Sequence, residues 1–390
     1  MPYRPLTLLL AAALAAVAGS ARAAEPHLDR ALVPAGCKAC HESHGLARSP
    51  LLAAPVDRTC LACHGSQADT DEQVRLGRLA PGARPPLLGS TLALPSRHPS
   101  TAEAYSRFDS GAVTCTSCHS PHRRSTQLPG LARAGLPKPS PRNPRKLEYE
   151  LCEECHGHAG PSTTSLLDVS RQFDPSNRSF HPVHAPAAGR SPSVLEGLAR
   201  RQINCTDCHT SSDPSGPRGP HAAQFQPLLV REYRSVDGSA DAAGYALCAA
   251  CHPPKVLFSG SRFPLHRLHV VDERAACATC HSAHGSIRNR ALIRFGEETS
   301  VAGVLPSQST GQLAFVSESP GSGTCSLTCH SIDHAPLSYG AGPIPLSSAR
   351  PSAVRAGVVG STPGPQDASP TRAESTRPPP PEDRVPPPKP

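Results

Sequence analysis

Cysteine and histidine are the residues of this chain with obvious chemistry, and they recur together. All sixteen cysteines fall into pairs followed directly by histidine. Seven pairs read C-x-x-C-H: Cys37/Cys40/His41, Cys60/Cys63/His64, Cys115/Cys118/His119, Cys152/Cys155/His156, Cys205/Cys208/His209, Cys248/Cys251/His252 and Cys277/Cys280/His281. The last, Cys325/Cys329/His330, has one more spacer residue. Paired cysteines alone would suit a zinc ribbon, a redox dithiol or a disulfide framework. None of those needs a histidine immediately after the second cysteine, and every pair here has one. The spacing is that of covalent c-type haem: two thiols add to the porphyrin vinyl groups and the adjacent histidine reaches the iron. Eight haems c are expected, with His41, His64, His119, His156, His209, His252, His281 and His330 as proximal ligands.

A six-coordinate iron needs a second ligand. Methionine is excluded, because Met1 is the only one and belongs to the leader. Twelve histidines remain: His27, His44, His98, His122, His158, His181, His184, His221, His266, His269, His284 and His334. The motifs group into four pairs, at about 26–65, 96–158, 179–252 and 264–334, a degenerate fourfold repeat of two-haem units. Three pair-opening motifs continue as C-H-x-x-H, at 40–44, 118–122 and 280–284. Similar segments precede two units, SRHPS at 96–100 and SFHPV at 179–183, and two closing motifs share a lead-in, Tyr149-Glu-Leu-Cys152 and Tyr245-Ala-Leu-Cys248.

Each unit thus offers one histidine before its first motif and one between its motifs. The expected distal ligands are His27 with His44, His98 with His122, His181 with His221, and His269 with His284. His181 is preferred to His184 because it shares the Ser-x-His-Pro context of His98. His269 is preferred to His266 because its distance from Cys277 resembles that of His27 from Cys37. His158, His184, His266 and His334 are read as solvent or propionate partners. A histidine three residues after a proximal one cannot cross the porphyrin to the same iron, so the +3 histidines should reach neighbouring haems. The third unit departs from the repeat: CHTSS follows Cys208, and the next histidine is His221.

The elements that hold these residues must be unusual. There is no Trp, aromatics make up 4%, and 46 residues are proline. Residues 24–334 give about 39 residues per haem, so porphyrins must supply much of the core that side chains usually provide. The expected fold is mostly irregular and α: short helices and long loops wrapped around a stacked haem array, with little or no β-sheet. After His334, residues 335–390 turn rich in Pro, Ser, Gly and Ala and read as a disordered tail.

The N-terminus has Arg4, an apolar run from Leu6 to Ala18 and small-x-small cleavage at Ala21-Arg22-Ala23, so residues 1–23 read as a secretory signal peptide. Its apolar core is too short to span a bilayer, and no transmembrane helix is expected in the mature chain. The expected location is periplasmic, or extracellular and outer-membrane associated. The formal charge of +8 does not imply nucleic-acid binding. Two propionates and one ferric porphyrin charge per haem bring the sum to about zero oxidised and about −8 reduced.

At these motifs the chain resembles the doubled C-x-x-C-H family of multihaem cytochromes, found in metal-reducing and other anaerobically respiring bacteria. The resemblance covers roughly residues 26–334. It implies electron transfer through closely stacked bis-His haems between redox protein partners, a donor and an acceptor, in anaerobic or extracellular respiration. The chain would then be an electron carrier without catalytic residues, acting as a shuttle, a self-assembled array, or a conduit seated in an outer-membrane porin. The alternative is an octahaem reductase of nitrite, hydroxylamine or an oxidised sulfur compound. Such enzymes keep one haem open or use lysine as its proximal ligand, and no C-x-x-C-K occurs here.

Overall fold

A computed structural model describes residues 26–42, 51–98, 113–122, 148–157, 168–187, 191, 193–238, 242–259, 263–296, 303–319 and 321–340. Residues 1–23, expected as a signal peptide, His44, His158 and most of the expected tail lie outside them. The chain divides after Ile344. The described part is mostly irregular, with short helices, as expected. No helix among the described residues is long and apolar enough to cross a membrane.

The regular motifs sit on helical turns. The first lies on a 3-10 turn, Gly36–Ala39, the second closes a helix at Val56–His64, and the fourth closes Glu148–His156. The third, fifth and seventh are single turns whose two ends are the cysteines themselves: Cys115–Cys118, Cys205–Cys208 and Cys277–Cys280. A single turn is too short to be stable alone, so its ends must be held. Two of these turns carry their own capping box. The Thr114 amide donates to Ser117 Oγ (3.1 Å), and the Asn204 amide donates to Asp207 Oδ2 (2.8 Å). The spacer residues of the motif therefore fix the turn that brings both cysteines to one side.

Four two-residue strands join distant units. β1 (Ser96–Arg97) pairs antiparallel with β3 (Ala222–Ala223), and β2 (Ser179–Phe180) with β4 (Gly285–Ser286). Each pair sets an upstream histidine beside an inter-motif one: His98 follows β1 and His221 precedes β3; His181 follows β2 and His284 precedes β4. The two sites share further detail. Ser96 Oγ accepts from the Leu228 amide at 2.6 Å, and Ser179 Oγ from the Leu292 amide at 2.8 Å. Both leucines have positive φ, 57° and 58°.

The C-terminal region departs from the expectation of little or no sheet. β5 (Val304–Leu305), β6 (Ala314–Ser319), β7 (Ser322–Cys329) and β8 (Ile332–Tyr339) form a four-stranded antiparallel sheet with β7 in the middle. The β-branched and hydroxyl-rich sequence of β7 suits a strand. β8 also carries regular structure through residues 335–339, beyond the expected start of the tail. β7 and β8 are joined by a two-residue turn, His330-Ser331, both with positive φ (49° and 65°), the signature of a type I′ hairpin. A small apolar cluster of Phe295, Val304 and Leu327 lies under the sheet, with Cys280, Cys325 and Cys329 packed against it.

Candidate haem-binding site

The motif cysteines follow one another in space in chain order. Cys40 of the first motif lies near Cys60 of the second. The Cys60 and Cys115 thiols are hydrogen-bonded, joining the second motif to the third. Cys118 and Cys152 are neighbours across the third and fourth motifs, and Cys152 is hydrogen-bonded to Cys205 of the fifth. Cys208 neighbours Cys251, Cys248 is hydrogen-bonded to Cys277, and Cys280 neighbours Cys325 and Cys329. The closest abutments, second with third, fourth with fifth and sixth with seventh, thus fall between the sequence units.

Two of the expected attachment cysteines stand apart from this pattern. Cys37 and Cys155 are exposed, whereas the other fourteen are half-buried. Cys155, expected as the second attachment thiol of the fourth motif, therefore departs from the enclosed setting that a haem-built core implies. Its place in the helix explains the difference. Cys152 is the member of the pair that meets Cys205, while Cys155 lies in the last turn of Glu148–His156, next to the helix end. Side chains at a helix end are covered from fewer directions. Cys155 still shares a side with Cys152, three residues before it, so the spacing needed to hold one porphyrin is kept. Cys37 opens the first motif, on the 3-10 turn nearest the start of the described chain.

Each of the closest abutments is bridged by a carboxylate. Asp57, ahead of the second motif, accepts from the Cys115 amide at 2.9 Å. Glu148, ahead of the fourth, accepts from the Thr206 amide and hydroxyl at 2.8 and 2.7 Å. Asp237, ahead of the sixth, accepts through Oδ1 from the Ala276 amide and the Thr279 hydroxyl, both at 2.6 Å. In each case an acid from one motif's approach caps the helical turn of the next, where free amides and the helix dipole favour an anion. Burial pushes the Asp237 carboxyl up, but hydrogen bonds from Thr279, the Ala276 amide and His330 outweigh it and hold the group below its ordinary value.

The histidines pair off. His27 faces His64 with ring centres 5.9 Å apart, His41 faces His122 at 5.8 Å, and His119 faces His221 at 6.0 Å. His98 faces His156, His181 faces His252, and His209 faces His284, each at 6.3 Å. His266 faces His281 at 6.2 Å, and His269 faces His334 at 6.3 Å. An imidazole nitrogen sits about 2 Å from the metal it ligates, so two imidazoles on opposite sides of one metal have ring centres about 6 Å apart. The observed spacings match.

The second ring nitrogen is used consistently. In eight of these histidines (His64, His98, His181, His209, His252, His266, His269 and His281) Nδ1 donates to a backbone carbonyl at 2.6–3.2 Å. That contact fixes the ring and leaves Nε2 for a metal. Burial also favours the neutral, ligating form. It pushes His281 and His284 down to about 4, and lowers His156, His181, His209, His221, His252, His266 and His334. The imidazole pairs and the helical C-x-x-C turns therefore fit covalent, bis-His haem at the seven regular motifs.

The pairing has a rule that sequence spacing did not supply. A histidine upstream of a unit faces the second motif of that unit: His27 with His64, His98 with His156, His181 with His252. A histidine between the motifs of a unit faces the first motif of the preceding unit: His122 with His41, His221 with His119, His284 with His209. The third unit obeys this although its histidine comes late, because the β1–β3 pair sets His221 where the β2–β4 pair sets His284. No unit follows the fourth, and there His266, expected to be spare, faces His281. His184 is placed differently: its Nε2 lies 2.5 Å from Glu153 Oε1.

Part of this layout has a signal in the sequence. After the first, fifth and seventh motifs come Pro50-Leu51-Leu52, Pro227-Leu228-Leu229 and Ala291-Leu292-Ile293, each with its first leucine at positive φ. At the fifth and seventh motifs the carbonyl just before that leucine receives Nδ1 of the motif histidine, His209 to Pro227 and His281 to Ala291.

Two family descriptions match the chain. Residues 111–292 match "outer membrane cytochrome MtrC/MtrF-like, domains II/IV", and residues 31–69 match the doubled CXXCH motif. No curated protein and no solved structure matches it.

Proposed function

From a chain that carries a doubled CXXCH motif and an MtrC/MtrF-like multihaem cytochrome segment, we propose an electron-transfer cytochrome c holding eight covalent haems. The proximal ligands at the regular motifs are His41, His64, His119, His156, His209, His252 and His281. Their distal partners are His122, His27, His221, His98, His284, His181 and His266. One observation carries this reading: every regular-motif histidine faces a second imidazole at the spacing of a shared metal, 5.8–6.3 Å. An iron closed on both sides exchanges electrons and leaves no face for substrate, and the redox chemistry is the cofactor's own. The chain's residues hold the haems in sequence order, so electrons pass end to end between a donor and an acceptor protein. The family name places its members at the outer membrane, which favours an exported protein working in extracellular respiration.

The oxidised holoprotein tests this by electron paramagnetic resonance together with intact mass. Eight attached haems, all low-spin, are expected. A stoichiometric high-spin haem that binds small ligands, with turnover of nitrite or hydroxylamine, would instead establish the reductase.

A further inference from the structure

We propose that Phe263 is a positioning residue for His266, the distal ligand of the seventh haem, and that the C-terminal sheet holds Phe263 in place through Tyr339. The sheet thereby closes the end of the array, where a fifth unit would otherwise stand. This rests on the bis-His reading of the seventh motif and adds the residues behind the ligand.

The seventh site lacks what the earlier ones have. At the first, third and fifth motifs the facing histidine comes from the following unit, as His122, His221 and His284. Paired strands place two of these: His221 directly precedes β3, and His284 directly precedes β4. No unit follows the fourth. His266 comes instead from the approach to its own motif, and no described strand adjoins it. Its Nδ1 contact, to the Leu257 carbonyl at 3.2 Å, is the longest of the eight.

Phe263 supplies the missing hold. Its carbonyl accepts from the His266 amide at 3.1 Å. That turn sets the phenyl ring edge-on to the imidazole, with centres 5.0 Å apart and planes at 80°. Buried Phe173 stands at the same 5.0 Å from His284, the facing histidine of the fifth motif. Phe263 is backed in turn by Tyr339, edge-on at 4.7 Å. Tyr339 ends β8. Gly323, across from it on β7, leaves room for its hydroxyl: a Cβ there would lie 3.0 Å from that oxygen.

The other end of the hairpin strand holds the other side of the same site. His330 Nε2 lies 3.0 Å from Asp237 Oδ2, and Asp237 Oδ1 caps the seventh turn. Between the two ends, Leu327 packs on Phe295 and Val304, with Cys280 of the seventh motif against them. The sheet thus grips the seventh motif at its turn, its second cysteine and its distal ligand.

Cyanide titration of the oxidised full-length holoprotein tests this, because cyanide displaces a distal histidine and so competes with whatever holds it. An edge-on aromatic contact is worth about threefold to tenfold in an equilibrium. Phe263→Leu, which keeps an apolar side chain, should therefore tighten cyanide binding at one haem by about that factor. Tyr339→Ala, at the edge of the sheet, should move the same haem in the same direction. His266→Gly should make that haem high-spin, and adding Phe263→Leu to it should change nothing further, because a positioning residue acts only through its ligand. A wholly low-spin His266→Gly protein would defeat the ligand reading itself. With that reading intact, an unchanged cyanide affinity in Phe263→Leu or in Tyr339→Ala, or a further change in the double variant, would overturn the role given to Phe263 and the sheet.

Discussion

The seven regular motifs and the eighth set their cysteine pairs on different backbones. On a helical turn, residues three apart share a side at about 5–6 Å, so C-x-x-C presents both thiols together and the next residue follows on the same turn. On a strand, residues three apart point to opposite faces, and only even spacings share one. The extra residue between Cys325 and Cys329 gives a spacing of four, which suits β7. It also sets the two positions about 13 Å apart along the strand, more than twice their separation on a helical turn. Histidine adjacency fails for the same reason. The residue after Cys329 enters a tight turn, and the ring on the cysteine face comes from the neighbouring strand. The lesson is that a spacing pattern encodes geometry only together with a backbone conformation.

The largest test of that contrast is deletion of Ser326, which converts the eighth motif to the regular C-x-x-C-H. If the motif were helical this would be a repair. On β7 it shifts Cys329 to the opposite face. Loss of one haem of the eight by intact mass is expected, with the other seven spectra unchanged. Retention of all eight would break the comparison.

Next come the carboxylate caps, which belong to the helical region. Glu148→Ala leaves the Thr206 amide and hydroxyl without their partner. A loss of about 2–3 kcal/mol is expected in denaturant unfolding, since the hydrogen bonds removed involve a charged group. Asp237→Ala removes a cap of the same kind together with the His330 contact. It should therefore disturb the hairpin as well, seen as faster amide exchange in β7 and β8, whereas Glu148→Ala should leave those strands alone.

Smaller effects are expected at the paired serines. Ser96→Ala and Ser179→Ala should each cost about 1 kcal/mol, because each removes an acceptor for a leucine amide. Similar losses would support the equivalence of the two sites; a loss confined to one would break it. The smallest effect has the opposite sign. Ser331→Gly relieves a side chain held at φ 65° and should stabilise the fold by about 0.5 kcal/mol, read as a higher denaturant midpoint.

Much of the site could be read from residue types. The cysteine–histidine adjacency speaks for haem, and the lack of any methionine beyond Met1 leaves histidine for the second ligand. The Ser-x-His-Pro context separates His181 from His184, and the structure sets His181 opposite His252 and His184 against Glu153. The choice between His266 and His269 could not be made by spacing, because both rings face another histidine. The exposure of Cys155 beside a half-buried Cys152 was equally hidden, since both thiols sit in the same motif and differ only in what the fold packs around them. The bridging acids were invisible in the sequence. Asp57, Glu148 and Asp237 stand at different distances ahead of their motifs, and only the fold brings each to the next turn.

The sequence by itself determined the haem-c motif and where its cysteine pairs fall, because covalent haem chemistry depends on local spacing along the chain. Tertiary structure decided which histidines face each other, in what order the motifs abut, and which histidine stands beside Cys325 and Cys329. Those are contacts between units or between strands. They depend on strand register, turn type and helix capping, which act across dozens of residues and leave no fixed spacing behind.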